Sequence, residues 1–451
     1  MRLSGYPREW LVLALIALGT LPLVSVSGAQ DSSRLAVSDS IILRGAVNID
    51  PYWRLTIDRA FAGGNWYSDK APGIALLALP AVAVVRLAAP PLVTSSSGRH
   101  QIWLSRWPLW AVRIWGGGLA FLGLVFLAGR VAEGLIARAG APVAATLGVG
   151  TMVGSLGPTL FGHVPDALAL LAAYIVATRA RRPRDLVWVG LLAGIGVLFE
   201  YPAGLAALVL LFYAWRRGGH RAAIATVIGA VPPAIVLGAY DWLAFGAPWR
   251  LSYRYTDNMF TPQQQQNLFG VGLPSGHGIW TLLLDGHGLI LVSPVLLAAI
   301  AGLVRFGRLR PLEAWTAGAI ALVFASYTAG YFLPNGGLSP GPRFATVALP
   351  FLLLGMPFAL ARWRWVTLGL AAVSVGVGLF DEITWSLLNR LQFVKWPATI
   401  WSLMGASRRG GCIILLACGG VAGLVALSSV LVGPLEEHPG GLLESTAPDL
   451  Q

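Results

Sequence analysis

The sequence predicts an all-α polytopic membrane protein, and three observations carry that prediction. Apolar stretches near 20 residues recur from end to end of the 451-residue chain, roughly the length that crosses a bilayer as a helix. Charged residues are only 12% of the chain and hydrophobic ones 56%, where a soluble protein carries about 25% charged residues. Lipid offers the backbone no hydrogen bonds, so such stretches must satisfy themselves as helices. The net charge of +12 does not read as a nucleic-acid footprint. Its Lys and Arg residues sit in short clusters between apolar runs, as orientation-setting loop charges do. Cys412 and Cys418 share one apolar run and read as small packing residues, not as a disulfide or metal pair.

The first apolar run, 10–27, follows Arg2 and Arg8 and ends in Ser27-Gly28-Ala29-Gln30. Those small residues would suit a cleaved signal peptide, but the many later spans favour a retained helix with its N-terminus in the cytoplasm. RARRPR (179–184), RRGGHR (216–221), RFGRLR (305–310) and RWR (362–364) mark cytoplasmic loops by the positive-inside rule. Parity then constrains the runs at 10–27, 74–92, 108–129, 143–161 and 166–178, because five crossings would put RARRPR outside. The run at 74–92 holds Pro80, Arg86, Pro90 and Pro91, and an arginine at mid-membrane costs roughly 2.5–3.5 kcal/mol on insertion scales. It is read as a juxtamembrane or re-entrant segment, which makes 30–107 a long first external loop.

Spans at 186–200 and 203–215 form a hairpin with Glu200-Tyr201-Pro202 at its outer turn. A span at 222–245 leads to an external loop at 246–287. Further spans follow at 288–304, 312–330, 344–361, 365–380 and 411–433. This count places Arg408 and Arg409 outside unless 382–405 hides a crossing or a half-buried amphipathic helix; both readings stay open. About 11–12 transmembrane helices are expected. The chain divides into 1–245, a module containing the first external loop, and 246–435, a second membrane module. Residues 436–451 read as a disordered tail.

The hydrophilic residues that are not cytoplasmic arginines gather on the outer side. The first loop carries Asp31, Asp39, Asp50, Asp58, Asp69 and Lys70. Later outer turns carry His163 and Asp166, then Glu200, then Arg343. Taken singly, Asp166 reads as a helix-capping carboxylate and His163 as an interfacial histidine. Glu200 and Arg343 border long apolar runs, where ionisable residues tend to be functional. Trp53, Trp66 and Tyr67 suit interfacial anchoring or stacking on sugar faces.

In this order and on this side, the motifs resemble those of the GT-C superfamily of membrane glycosyltransferases. Val37-Ser38-Asp39-Ser40 stands where those proteins carry a first acidic motif. Asp69-Lys70-Ala71-Pro72-Gly73 is similar to their Lys-Pro-Pro element, with Ala71 in place of the first proline. His163-Val164-Pro165-Asp166 resembles their second acidic motif, and Phe199-Glu200-Tyr201-Pro202 the end of their fifth span. Gly288-Leu289, Ser293-Pro294 and Gly341-Pro342-Arg343-Phe344 resemble elements of bacterial relatives. The resemblance covers residues 8–360.

The resemblance implies a GT-C-like helical bundle that moves a sugar from a polyprenyl-phosphate donor to a glycan, lipid or protein acceptor on the extracytoplasmic face of a bacterial-type cell membrane, by an inverting reaction. Asp39 is then the expected catalytic base. Lys70 and Arg343 are the expected ligands of the donor phosphate, whose negative charge grows as the glycosidic bond breaks. Asp166, His163 and Glu200 are the expected acceptor-side groups. A divalent metal held by Asp39, Asp166 and His163 is an open expectation, weakened because Asp39 is followed by Ser40 where many relatives carry a second acid. No nucleotide cofactor is implied. The alternative class is a transporter or lipid flippase, which places ionisable residues near mid-membrane between repeated halves; this chain gathers them at one face.

Overall fold

The computed structural model describes residues 7–23, 28–88, 93–94, 102–103, 106–337, 339–387, 405–431 and 435. The tail at 436–451 and most of 382–405 lie outside the described residues. The first apolar run forms α1 (Pro7–Thr20). The first region expected to be external is an ordered layer, where the sequence suggested a loop: α2 (Ala29–Arg44), then the strands β1 (Arg59–Ala62) and β2 (Asn65–Ser68), then α3 (Gly73–Ala88). The two strands pair antiparallel, with Ala62 opposite Asn65. Gly63 and Gly64 between them both take positive φ, 56° and 86°, the conformation that a tight two-residue hairpin turn demands. α3 is apolar and 16 residues long, with Pro80 inside it and Arg86 in its last turn. A second short strand pair follows, β3 (Val93–Thr94) with β4 (Ile102–Trp103).

The bundle continues through α4 (Arg106–Arg113) and α5 (Leu119–Leu135), joined by a short π-helical stretch at Ile114–Gly118. The run at 143–161 is broken into α6 (Gly140–Val149) and α7 (Val153–Leu156). Next come α8 (His163–Arg179), α9 (Val187–Phe199) and α10 (Ala203–Phe245). α10 contains both spans expected at 203–215 and 222–245. Its two arms meet at Gly218 and Gly219, whose backbone leaves the helical region inside the RRGGHR cluster. The second loop expected to be external, 246–287, carries α11 (Thr261–Gln264) and α12 (Gly276–Leu283). It is followed by α13 (Leu289–Val292), α14 (Val295–Leu309) and α15 (Pro311–Gly330). A 3-10 turn at Arg343–Val347 opens the next segment, α16 (Ala348–Leu353) and α17 (Met356–Arg362). The chain closes with α18 (Arg364–Glu382) and α19 (Ala406–Leu431).

Among the described residues five helices are long and apolar enough to cross a membrane: Trp107–Leu135, Ala203–Phe245, Pro311–Gly330, Arg364–Trp385 and Arg408–Leu431. The pair Arg343–Leu353 and Met356–Arg362, bent by 48°, makes a sixth if taken as one span. The remaining apolar runs behind the expected 11–12 crossings are built as shorter helices, among them α1, α8, α9 and α14.

Helices in lipid gain little from burying apolar surface against one another, so close packing through small residues matters more. The α9–α10 pair shows this. A Cβ at Gly190 would overlap the Thr226 carbonyl, and one at Gly229 the Val187 carbonyl. The outward faces of α10 carry Leu208, Phe212, Ile224 and Ile235, all exposed, as a lipid-facing surface requires. One apolar core runs through the bundle and includes Ile16, Phe121, Leu170, Leu210, Phe306, Phe351 and Leu415. A second core lies beneath the external layer, built from Leu35, Val37, Ile49, Ala60, Tyr67, Ile74, Val112, Leu160 and Phe245. This second core seats α2, the hairpin and α3 on the helix ends, and it thereby positions the polar site.

Candidate functional site

Lys70 sits between β2 and α3, where the chain turns from the hairpin into an apolar helix. Its approach is fixed locally. The Ser68 hydroxyl accepts the Lys70 amide at 3.1 Å and lies 2.6 Å from the Ser33 hydroxyl, which also lies 2.6 Å from the Asp58 carbonyl oxygen. Three residues later, a Cβ at Gly73 would overlap the Leu198 carbonyl, so glycine lets the start of α3 lie directly against the last turn of α9. The Lys70 ammonium is 3.0 Å from Asp69 Oδ1 and 3.4 Å from Asp58 Oδ1. Burial pushes the Asp69 carboxyl up to about 6, even against the opposing pull of the Lys70 charge. Burial acts on Lys70 in the downward direction, but the two carboxylates outweigh it and hold its pKa above the ordinary lysine value.

Glu200 caps the same helix contact from the other side. Its carboxylate oxygen Oε1 accepts Arg34 Nη2 at 2.7 Å and lies 3.8 Å from His163 Nδ1. Arg34 comes from α2, His163 from the first residue of α8, and Glu200 from the turn between α9 and α10, so one carboxylate ties three elements. Burying an ion pair is favourable only when further hydrogen bonds satisfy the two groups. Arg34 Nη1 meets that demand in part by donating to Gln30 Oε1 at 2.6 Å. His163 also packs edge-on against Phe344, with ring centroids 5.4 Å apart, and its buried Nε2 has no hydrogen-bond partner among the described residues.

Arg343 opens the 3-10 turn before α16. Its guanidinium carbon is 5.4 Å from the Phe161 ring centroid and 5.3 Å from that of Phe344, within the range of a cation–π contact. Among the described residues it forms no ion pair, and its buried Nε has no hydrogen-bond partner. It interacts electrostatically with Asp58, Tyr331 and Glu200, and with Lys70. Tyr331, at the end of α15, interacts with the same two cations.

Of the sequence-predicted residues, Lys70, Arg343, His163 and Glu200 therefore share one electrostatic neighbourhood. Asp166 stands behind it. Its fully buried carboxylate has no hydrogen-bond partner among the described residues and interacts with Glu200, and a Cβ at Gly196 would stand 2.9 Å from its Oδ1. Asp39 does not join the group. It accepts Arg86 Nε at 2.6 Å, and its second oxygen is held by Arg86 Nη2 and the Tyr52 hydroxyl. Asp39 thus clamps α2 to α3. Asp31, at the start of α2, is likewise committed: Arg113 Nη2 donates to it at 2.7 Å and the Leu160 amide at 2.8 Å.

Sequence reasoning named Asp58 only among the polar residues of the first loop and passed over Arg34, Ser252 and Tyr331. Ser252 donates to the Asp69 carbonyl at 2.8 Å and lies 3.2 Å from the Tyr201 hydroxyl, which stitches the second external loop to Lys70's neighbour and to the outer turn. The metal allowed by sequence does not fit this arrangement. Among the described residues no group of three His, Cys, Asp or Glu side chains could hold an ion, because Asp39 is spent elsewhere and Lys70 fills the space between Asp58 and Asp69.

No protein-family model matches the sequence, and no curated protein matches it. Two solved structures share its architecture. Against the crystal structure of ArnT from Cupriavidus metallidurans bound to undecaprenyl phosphate, the TM-score is 0.55 at 14% identity, over 94% of this chain and 74% of that one. Against the apo state of ArnT from the same organism it is 0.50 at 15% identity, over 94% and 75%. At such identities the likeness establishes a shared fold.

Proposed function

On the premise that the chain has the GT-C fold of membrane glycosyltransferases, we propose that it transfers a sugar from a polyprenyl-phosphate donor to an acceptor at the extracytoplasmic face of the membrane. The observation that carries this reading is Arg343, a cation with no ion-pair partner among the described residues, set in the electrostatic range of Lys70 beside a ring of aromatic side chains. A cation with no ion-pair partner among the described residues, within reach of a second cation at the edge of a membrane bundle, calls for an anion. The undecaprenyl phosphate bound to ArnT supports a lipid phosphate in that role.

The chemistry follows from what each group can do. The guanidinium offers a planar fork to phosphate oxygens, while the ammonium acts as a point charge. Together they stabilise the charge that builds on the leaving phosphate. The acceptor hydroxyl attacks the anomeric carbon as the bond from that carbon to the phosphate oxygen breaks, with the electron pair leaving on the phosphate. Its proton passes to a carboxylate, and a single displacement of this kind inverts the anomeric centre. Asp39, with its oxygens held by Arg86 and Tyr52, is poorly placed to take that proton. Asp58 is the better base, because it is partly exposed and its only ion pair among the described residues, to Lys70, is long at 3.4 Å. His163, through its open Nε2, and Glu200 orient the acceptor.

The test is the purified full-length chain, reconstituted with a panel of radiolabelled polyprenyl-phosphate sugars and membrane-extracted acceptors. Transfer that disappears in Arg343→Ala supports the reading. Donor turnover at an undiminished rate in folded Arg343→Ala and Lys70→Ala proteins would overturn it.

A further inference from the structure

A second arrangement of charges lies on the outer side of the hairpin, and the proposed chemistry does not use it. Trp53, in the short turn before β1, stacks on Trp66 of β2, with centroids 4.7 Å apart and planes 4° from parallel. Phe61, exposed on β1, leans on Trp66 at 4.8 Å. Two arginines are set against these rings. The guanidinium carbon of Arg59 is 4.8 Å from the Trp53 centroid and 4.6 Å from that of Trp66. That of Arg54 is 4.9 Å from Trp53.

An aromatic face holds a guanidinium in place while leaving its in-plane N–H donors free. Arg59 spends two of its nitrogens on carbonyls, Nη1 on Trp53 at 2.9 Å and Nε on Asp257 at 3.2 Å, and Nη2 remains open. Arg54 is exposed, and among the described residues it makes no hydrogen bond or ion pair. Two positioned cations thus face outward from one aromatic stack, with no acid paired to either side chain.

We propose that this stack is an acceptor-docking platform for a glycan that carries anionic groups, carboxylate or phosphate, which Arg54 and Arg59 grip while the sugar rings lie along Phe61 and the Trp edges. Its place in the fold favours a glycan over an anionic membrane surface. Arg59 follows Asp58 directly in the chain, and its carbonyl accepts the Asp257 amide at 3.1 Å, while Ala60 bridges to Thr256. The platform is therefore continuous with the strand that presents Asp58 to Lys70, so a chain gripped by its acid groups would deliver a hydroxyl to that carboxylate. This assignment rests on the transferase reading and names the class of its acceptor.

The test is fluorescence polarisation of the detergent-purified full chain with labelled trigalacturonic acid, neutral maltotriose and anionic phospholipid vesicles as probes. The acidic trisaccharide is expected to bind in a salt-sensitive way and the neutral one weakly. Arg54→Gln should weaken acid binding by about tenfold, as loss of a charge-assisted bidentate contact predicts. Arg54→Lys should recover only part of it, because the charge returns without the fork. Equal binding of the two trisaccharides, or an unchanged Arg54→Gln protein with wild-type thermal stability, overturns the platform. So does Arg54-dependent binding to vesicles without binding to the acid sugar, which would make the surface a membrane contact. A chain that binds acid sugar through Arg54 yet transfers no sugar supports the platform and counts against the transferase reading alone.

Discussion

Arg34 and Glu200 form a 2.7 Å ion pair with side chains only 1% and 6% exposed. That pair joins α2 to the turn between α9 and α10, and it keeps Glu200 beside His163. Breaking one side of a buried pair leaves an uncompensated charge, at a cost of about 3–5 kcal/mol. Arg34→Met and Glu200→Leu are each expected to lower the thermal unfolding midpoint in detergent, and the double variant to regain most of the loss. A double variant as unstable as the sum of the single ones would show that the pair is not coupled in this way.

Lys70 and Arg343 are both expected to act on the leaving phosphate. Removing one donor to a developing oxyanion costs on the order of 10²–10³ in rate. Arg343→Ala should lose activity on that scale while unfolding near the wild-type temperature, whereas Lys70→Ala should lose activity and also melt earlier, because it leaves the buried Asp69 carboxylate without its ion-pair partner. Arg343→Lys should recover less than the charge alone would suggest, since the ammonium lacks the planar fork. Steady-state kinetics on the donor, paired with thermal melts, separates the two effects.

Asp39 and Asp58 should part company. Asp39→Asn breaks the clamp to Arg86 and is expected to act through stability. Asp58→Asn is expected to lower kcat by roughly 10²-fold or more, the scale of general-base loss, with little change in the melt. The opposite pattern, a stable but inactive Asp39→Asn beside an active Asp58→Asn, would restore Asp39 as the base.

Asp69 gives the site a pH response. Its carboxyl, pushed up to about 6, is neutral below that value and charged above it, while Lys70 stays protonated throughout because its own pKa is raised. Below pH 6 the pair therefore carries net positive charge, and above it the two charges cancel. A phosphodiester donor does not titrate in this range, so its KM should rise between about pH 5 and pH 7. The change should be near tenfold, the equivalent of ~1.4 kcal/mol for one pKa unit. Asp69→Asn should flatten the profile at the low-KM end.

The apolar helices of a membrane bundle were legible in the sequence, because they follow from composition. Glu200 and Arg343 stood out because each borders an apolar run where an ionisable group is costly, and Lys70 and His163 were picked out by the motifs of the resemblance. Asp39 misled for a geometric reason. With 30–107 read as a loop, its side chains had no assigned direction. Once 29–44 is a helix, Asp39 lies about 140° around it from Arg34 at ~100° per residue, and its carboxylate turns to Arg86 instead of Glu200. The same missing periodicity hid Arg34. Asp58 and Ser252 become neighbours of Lys70 and Asp69 only through the hairpin and the second external loop, contacts between distant segments that no local pattern announces.

The bridge from β1 to residues 256 and 257 has one more consequence. Gly63 and Gly64 form an exposed turn, the kind of loop tip where proteases cut. After such a cut, the first strand would stay fastened to the second external loop and the other strand to α3. Nicked protein should therefore migrate as two fragments in denaturing gels yet keep its activity, a sign that the outer layer is held by cross-stitching and not by the continuity of its chain.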